Sequence, residues 1–221
     1  YPRTLEEDVA KLATVGADYV FAPSIDEMYP VLPPPTSVLA GAITTHLCGQ
    51  TRPSHFDGVG IVVSKLFNIV QPDVAIFGQK DYQQLAIIKQ LVRDLSYPIE
   101  IVAAPIVRAV DGLALSSRNQ YLSAAERQTA PLLHQELQCL AQQLSEGESS
   151  QQRFESLLAE TRTRMTHAGF RIDYLEVKNE KLDTVNNTVK SLKAEDQVLI
   201  VLVAAWLGRA RLLDNEIVTV N

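Results

Sequence analysis

The stretch that most constrains the fold is Val74-Ala-Ile-Phe-Gly-Gln-Lys-Asp-Tyr-Gln-Gln84. Behind the breaker Pro72-Asp73, residues Val74–Phe77 read as a short buried strand that ends at Gly78. From Asp81 the apolar period lengthens to that of a helix, with Leu85, Ile88, Val92 and Leu95 on one face. An aspartate suits a helix start, where its carboxylate can cap free amides and meet the positive end of the dipole. Gly78 lets a ligand approach the backbone, and Lys80 adds a point charge two residues later. Strand, glycine, lysine and helix start, in that order, describe a phosphate cradle at the carboxyl end of a parallel strand. The same residues also fit a plain surface turn with Lys80 in solvent, and this stretch alone does not separate the two.

Around this stretch helices and strands alternate, which implies a parallel sheet. Thr4 and Glu7 have capping-box spacing, and Leu5, Val9, Leu12 and Val15 mark a helix ending at Gly16. Asp18–Ala22 then reads as a strand, Met28–Pro35 as a proline-rich loop, and Val38–Gln50 as a short strand and turn. A helix is predicted over Gly58–Val70 and a buried strand over Ile99–Ala104. The chain opens on Tyr1-Pro-Arg-Thr with no strand before its first helix, so the sheet is expected to begin upstream of residue 1. Beyond residue 108 the pattern changes. Asp111-Gly112 is a turn signal, Ser123 caps a helix running to about Leu144, and Glu148-Ser-Ser-Gln151 leads into another ending near Met165. A strand from Ile172 and an antiparallel pair, Val198–Ala205 and Ala210–Val220 about Gly208-Arg209, complete a small α+β unit. The predicted domains are 1–108 and 109–221.

A net charge of −6 leaves no broad electrostatic footprint for nucleic acid, so an anionic ligand must be held by a few placed cations. Cys48 and Cys139 form no C-x-x-C and have no histidine pair nearby; both are expected as small buried hydrophobes in a reduced, cytoplasmic protein. The most apolar run, Val198–Leu207, suits a buried strand better than a membrane span. The opening residues do not read as a signal peptide.

Two cationic features bracket the expected ligand: Lys80, and Arg118 within Leu115-Ser-Ser-Arg-Asn-Gln120. A guanidinium fork and serine hydroxyls suit phosphate oxygens, and in an acidic chain such a loop favours a polyphosphate, hence a nucleotide. Ser116-Ser117-Arg118 also fits a polar loop whose arginine pairs with an acidic neighbour. On local grounds Gln83 and Gln84 face solvent, His55 packs on Phe56, and His46, His134 and His167 lie on the surface. Arg52 could stabilise anionic substrate or transition-state charge, and Trp206 is placed in the core. No G-x-x-x-x-G-K-[ST], G-x-G-x-x-G, H-E-x-x-H or serine nucleophile elbow is present.

Tyr1-Pro-Arg-Thr, Arg52-Pro-Ser-His-Phe-Asp-Gly58, Phe77-Gly-Gln-Lys-Asp-Tyr-Gln-Gln84, Asp111-Gly-Leu-Ala-Leu-Ser-Ser-Arg-Asn119 and Ala204-Ala-Trp-Leu-Gly208 together resemble the pantoate–β-alanine ligase family over the whole chain. The resemblance implies a fold like that of the class I aminoacyl-tRNA synthetases. That is an α/β, Rossmann-like, doubly wound parallel sheet of nucleotidyltransferase type, with a small α+β C-terminal lid and dimers formed through the former. It implies adenylation of pantoate by ATP with Mg2+, release of pyrophosphate, and displacement of AMP by the amine of β-alanine to give pantothenate on the route to coenzyme A. By motif, Gly78, Gln79, Lys80 and Asp81 match the first ATP loop and Val107 an adenosine contact. Leu115, Ser116, Ser117 and Arg118 match the second phosphate loop, and Gln84 a pantoate-binding glutamine. Lys80, Ser116, Ser117 and Arg118 would carry the catalytic charge, with Arg52 and His55 beside the pantoate.

The chain departs from the family pattern as well. The family's His-x-Gly-His segment, which holds ATP and supplies its catalytic histidine, lies upstream of Tyr-Pro-Arg-Thr, as does a glutamine shared by pantoate and β-alanine. Neither is in this sequence, so the chain by itself is expected to be inactive. Gln79 is often Glu in relatives, and Leu115 often Met. Three other readings are weighed: a folded, dimerising remnant without catalysis, part of a fusion with a cytidylate kinase, or another nucleotidyltransferase of the superfamily. Arg-Pro-Ser-His-Phe and the Gln-Gln pair speak against the last.

Overall fold

A computed structural model describes residues 4–146, 150–183 and 197–220. Tyr1-Pro-Arg3, Glu148-Ser149 and their expected roles lie outside the described residues. The chain divides into two compact units, Tyr1–Val38 and Leu39–Asn221.

The first unit contains helices α1 (Leu5–Thr14) and α2 (Ile25–Met28). Thr4 does not form the expected capping box. Its side chain makes no cap bond, and its hydroxyl instead reaches Asp8, 3.4 Å away. Ser24 and Glu27 do form such a box at α2. The strand expected over Asp18–Ala22 is absent: no strand lies beside it among the described residues, so its backbone has no ladder to join, and Tyr19 is almost fully exposed.

In the second unit the segment expected as strand and turn over Val38–Gln50 is instead a 3-10 turn (Ala42–Thr45) and helix α3 (Cys48–Thr51). Gly49 explains the tightness of this path, since a Cβ there would sit 1.7 Å from the carbonyl oxygen of Thr44. Helix α4 (His55–Val70) begins three residues earlier than predicted. β1 (Val74–Gly78) and β2 (Glu100–Ala104) pair in parallel with Val74 opposite Glu100, and α5 (Tyr82–Asp94) connects them. β1 is not the fully buried strand its composition suggests, because Ile76 remains 68% exposed on one face.

The single helix expected after Ser123 is two, α6 (Ala124–Thr129) and α7 (Leu132–Glu146). Pro131 lies at the break, where it lacks the N–H that a continuous helix needs. Ser123 caps α6 through a capping box with Glu126. Ser150 caps α8 (Gln151–His167) by accepting from the Arg153 amide. Strands β3 (Arg171–Asn179), β4 (Gln197–Leu207) and β5 (Ala210–Val220) form an antiparallel sheet in the order β3-β4-β5. Gly208, at φ +54°, makes the turn between β4 and β5, and a Cβ there would collide with the Glu126 carboxylate.

Apolar β4 is buried on both faces. Leu199, Val201, Val203 and Ala205 enter the main core with Leu133, Leu137, Leu140, Leu157, Met165 and Phe170. Ile200 and Leu202 pack on the opposite side against Leu47 and Leu182, with Tyr82 and Tyr174 beside them. That second face, which meets the 40–56 segment and the start of α5, positions the site. Cys48 is buried there as expected, but Cys139 is exposed.

Candidate active site

The site is assembled from the end of β1, the 48–56 segment, the Ser117–Tyr121 turn and one face of the β3-β4-β5 sheet. Arg52, His55, Lys80, Asp81, Gln83, Gln84, Tyr174, Asp214 and Asn215 are among the residues lining a narrow cavity of about 40 Å3. Arg52 also lines a wider cavity of about 530 Å3 together with Arg118, Arg171, Asp173, Trp206, Arg209 and Arg211. Residues distant in sequence, Arg52, Lys80, Gln84 and Arg118, thus meet around adjoining linings. Val107, Leu115, Ser116 and Ser117 line neither cavity. A larger cavity of about 710 Å3, against Glu180–Asp183, contains none of the predicted site residues.

The Lys80 loop differs from the simple cap expected of it. A 3-10 turn (Gln79–Asp81) intervenes before α5, and Asp81 makes no side-chain cap bond; its carboxylate lies 3.5 Å from Lys80 Nζ. Gly78 has ordinary extended angles (φ −68°, ψ 132°), and a Cβ built on it would meet open space. Glycine here leaves room beside the strand end; its conformational freedom is not needed.

What fixes the loop is Asn215 on β5, whose Nδ2 donates to the carbonyls of both Gln79 and Lys80 at 3.0 Å. Asn215 is itself anchored beside a buried ion pair. Its backbone N–H donates to Asp214 Oδ1, and Asp214 accepts a two-pronged contact from Arg108 at 2.7 and 2.9 Å. His134, expected on the surface, is buried against this pair, 3.9 Å from Asp214. Burial and the Arg108 charge hold its imidazole below the usual pKa of 6.5, against the pull of Asp214.

The neighbouring glutamines divide the work. Gln83 does not face solvent: it is buried, accepts from the Cys48 amide at 3.0 Å, and donates to the Ile43 and His46 carbonyls at 2.8 Å each. It ties α5 to the 43–48 turn. Gln84 is half-buried and lines the narrow cavity. His55 packs on Phe56 with ring centroids 5.0 Å apart. Burial first, then the charges of Arg52 and Arg118, keep its pKa below 6.5, while Asp81 opposes them. His55 is therefore biased toward the neutral form within a cationic surround.

The sheet face adds groups that sequence reasoning missed. Arg171, Trp206 and Arg211 stand opposite one another across the three strands. The register of β3 shifts between Ile172 and Tyr174, leaving Asp173 as an extra residue. Such a bulge re-aims a side chain; here the Asp173 carboxylate accepts from Arg211 Nε at 2.9 Å. Arg211 also approaches Cys48 Sγ at 3.5 Å, and the Tyr174 hydroxyl lies 3.3 Å from the same sulfur. Burial, with Cys48 beside it, pushes the Tyr174 phenol upward. Trp206 is only half-buried, with Arg171 stacked 5.3 Å from its ring centroid, so it belongs to the cavity wall and not to the core. The available signal was the polar set Arg211, Asp214 and Asn215 in a strand paired with one that is apolar from Val198 to Leu207.

The family described as Pantoate-beta-alanine ligase matches residues 1–217. The chain belongs to that family. It is 72% identical over 221 residues to the pantothenate synthetase of Psychrobacter arcticus, covering 100% of this chain and 75% of that protein. The pantothenate synthetase of Acinetobacter baylyi is 53% identical over 97% of this chain and 73% of its own length. Among solved structures, pantothenate synthetase from Thermus thermophilus superposes with a TM-score of 0.84 at 40% identity, over 98% of this chain and 75% of that one. A pantoate-beta-alanine ligase from Francisella tularensis, solved with a β,γ-ATP compound and β-alanine, gives 0.71 at 29% identity, over 98% and 70%. Membership in this ligase family makes the chain a member of an enzyme family with an α/β fold, as the parallel pair and the C-terminal antiparallel sheet require. Among the described residues, no helix is long and apolar enough to cross a membrane.

Proposed function

We propose that the protein condenses pantoate with β-alanine at the expense of ATP, by way of a pantoyl-adenylate. The observation that carries this reading is the convergence of Lys80, Arg52, Gln84 and Arg118 around linings that share Arg52. In the first step a pantoate carboxylate oxygen bonds to the α-phosphorus. The bond from that phosphorus to the bridging oxygen breaks, and pyrophosphate leaves with the electron pair. In the second, the neutral amine of β-alanine attacks the acyl carbon, AMP departs, and the amine loses a proton. The side chains supply position and positive charge, the terms that dominate phosphoryl transfer.

Lys80, with its side chain only 19% exposed, would stabilise charge on the transferring phosphate. Gln84 orients pantoate, and Arg118 meets the outer phosphates together with the hydroxyls of Ser116 and Ser117. Backbone at Gly78, Gln79, Val107 and Leu115 completes the nucleotide contacts; the Leu115 amide already bonds the Val107 carbonyl at 2.9 Å, which shapes that edge. Arg52 and His55 border the pantoate. Among the described residues no group of three acidic, histidine or cysteine side chains is placed to hold a metal ion by itself, so the half-exposed Asp81 would offer Mg2+ a single carboxylate beside the bound nucleotide. When bound, the ion would neutralise phosphate charge.

The reading carries with it a nucleotide domain to residue 108, a lid from 109, a cytoplasmic location and a homodimer. The decisive test is pantoate-dependent exchange of labelled pyrophosphate into ATP without β-alanine, with AMP and pantothenate appearing only when β-alanine is added to the full-length protein. AMP release that needs all three substrates at once, with no exchange, would exclude the adenylate. Sedimentation measures the dimer.

A further inference from the structure

Five arginines, Arg52, Arg118, Arg171, Arg209 and Arg211, line the cavity of about 530 Å3, and Asp173 is its single acidic residue. Five positive charges less one leave four, in a chain whose overall charge is −6. Only Arg211 is neutralised, by Asp173; Arg52, Arg118, Arg171 and Arg209 make no ion pair among the described residues. Like charges gathered without counter-charge repel, and the repulsion is relieved when an anion enters. The cavity is also built. Trp206 holds Arg171 by its ring, the bulge at Asp173 fixes Arg211, and Arg118 lies on a turn packed beside β5.

We propose that this cavity binds inorganic pyrophosphate and receives it as it leaves the α-phosphorus. Planar guanidinium forks match phosphate oxygens in pairs, and a dianionic or more highly charged diphosphate balances four unpaired arginines better than a carboxylate does. The volume is that of a small-molecule site, and the acidic remainder of the chain offers nucleic acid no continuous basic track. In the reading above Arg118 meets the outer phosphates of the nucleotide and Arg52 borders the pantoate; Arg171 and Arg209 would hold only the departing group. The receiving role rests on that adenylating reading, whereas the binding itself does not.

Calorimetry on the full-length protein at low ionic strength, with pyrophosphate, orthophosphate and ATP as separate titrants, tests both parts. Arg209→Gln, on an exposed turn, and Arg171→Gln should each weaken pyrophosphate about 10-fold, as expected for losing one charged hydrogen-bond donor. Their effect on ATP should be much smaller, and thermal unfolding should confirm that both variants fold. Unchanged pyrophosphate affinity in both would overturn the site. Equal weakening of pyrophosphate and ATP would reassign it to the substrate triphosphate and overturn the proposal. If pyrophosphate binding is lost yet product inhibition by pyrophosphate is undiminished, the receiving role fails. Absence of pyrophosphate exchange in the unaltered protein strikes the adenylating reading and leaves the binding result to stand by itself.

Discussion

The two sheets of the second unit are built to different standards. In β3-β4-β5 the central strand is sealed on both sides, with Ile200, Val201 and Ala204 wholly buried. In the parallel pair, one face carries Val74, Ile76 and Val102 in the open, with Ile76 directly opposite Val102. The residues proposed for phosphate chemistry sit at the end of the thinner sheet. Yet their loop is held from the thicker one, through Asn215 and the Asp214–Arg108 pair behind it. Among the described residues burial is concentrated in one sheet and the proposed chemistry lies at the end of the other, so a mutation's effect should depend on which region it touches.

The sharpest break of that comparison is a pair of truncations. Ile200→Ala should cost about 2–5 kcal/mol, the usual range for emptying a closed core position. Ile76→Ala, at an exposed position, should stay within about 0.5 kcal/mol. Denaturant unfolding of the two variants reads the difference directly, and equal losses would mean that the parallel pair is as well sealed as the antiparallel sheet.

Next in size is Lys80→Ala, expected to slow adenylate formation roughly 10²–10³-fold, the scale for one preorganised electrostatic donor. Lys80→Arg should rescue only part, because a fork does not replace a point charge. Pyrophosphate exchange near the unaltered rate in the alanine variant would remove Lys80 from the site.

How far the sequence went follows the same division. Strand–glycine–lysine–helix was legible because the change from strand to helix period survives in the fold, although Asp81 makes no cap bond and β1 is open on one face; the apolar run of β4 announced its own burial. What stayed hidden depends on contacts between segments far apart. Asn215 reaches a loop 135 residues away, Gln83 spans to the 43–48 turn, and His134 is buried by Arg108 and Asp214. Asp173 reaches Arg211 only because of a bulge, which no periodicity reveals. The split at Pro131 was written in the sequence, but the helical stripe on either side concealed it.

Asn215→Ala tests the link between the regions. It removes two bonds to the Lys80 loop and should lower kcat by about 1–3 kcal/mol of transition-state stabilisation, with little change in the melting transition. Asn215→Asp should not rescue, since a carboxylate cannot donate to carbonyls. A variant that melts early but keeps its kcat would make Asn215 a structural residue only. Gln84→Ala should act on one substrate: the KM for pantoate rises by an amount worth about 1–3 kcal/mol while that for ATP holds. The reverse pattern would move Gln84 to the nucleotide.

The smallest effect concerns His55, where the cationic cleft meets the proton. Its folded pKa lies below 6.5 through burial and the nearness of Arg52 and Arg118. Fewer protons are then bound by the folded than the unfolded chain between that lowered value and 6.5, so His55 takes stability away as pH falls through this window. An anion in the cleft reverses the local bias, because it favours the imidazolium form. Binding should take up a proton, and affinity for ATP should rise as pH falls below about 6.5, by no more than about tenfold for each unit of pKa restored. ATP has its own phosphate titration, so the measurement is the difference between the unaltered protein and His55→Gln across roughly pH 5.5–7.5, a window set by the histidine range. The glutamine variant should lose the excess slope and gain stability at the acid end. Superimposable binding profiles would place His55 outside the field of the ligand and leave it as a packing partner of Phe56.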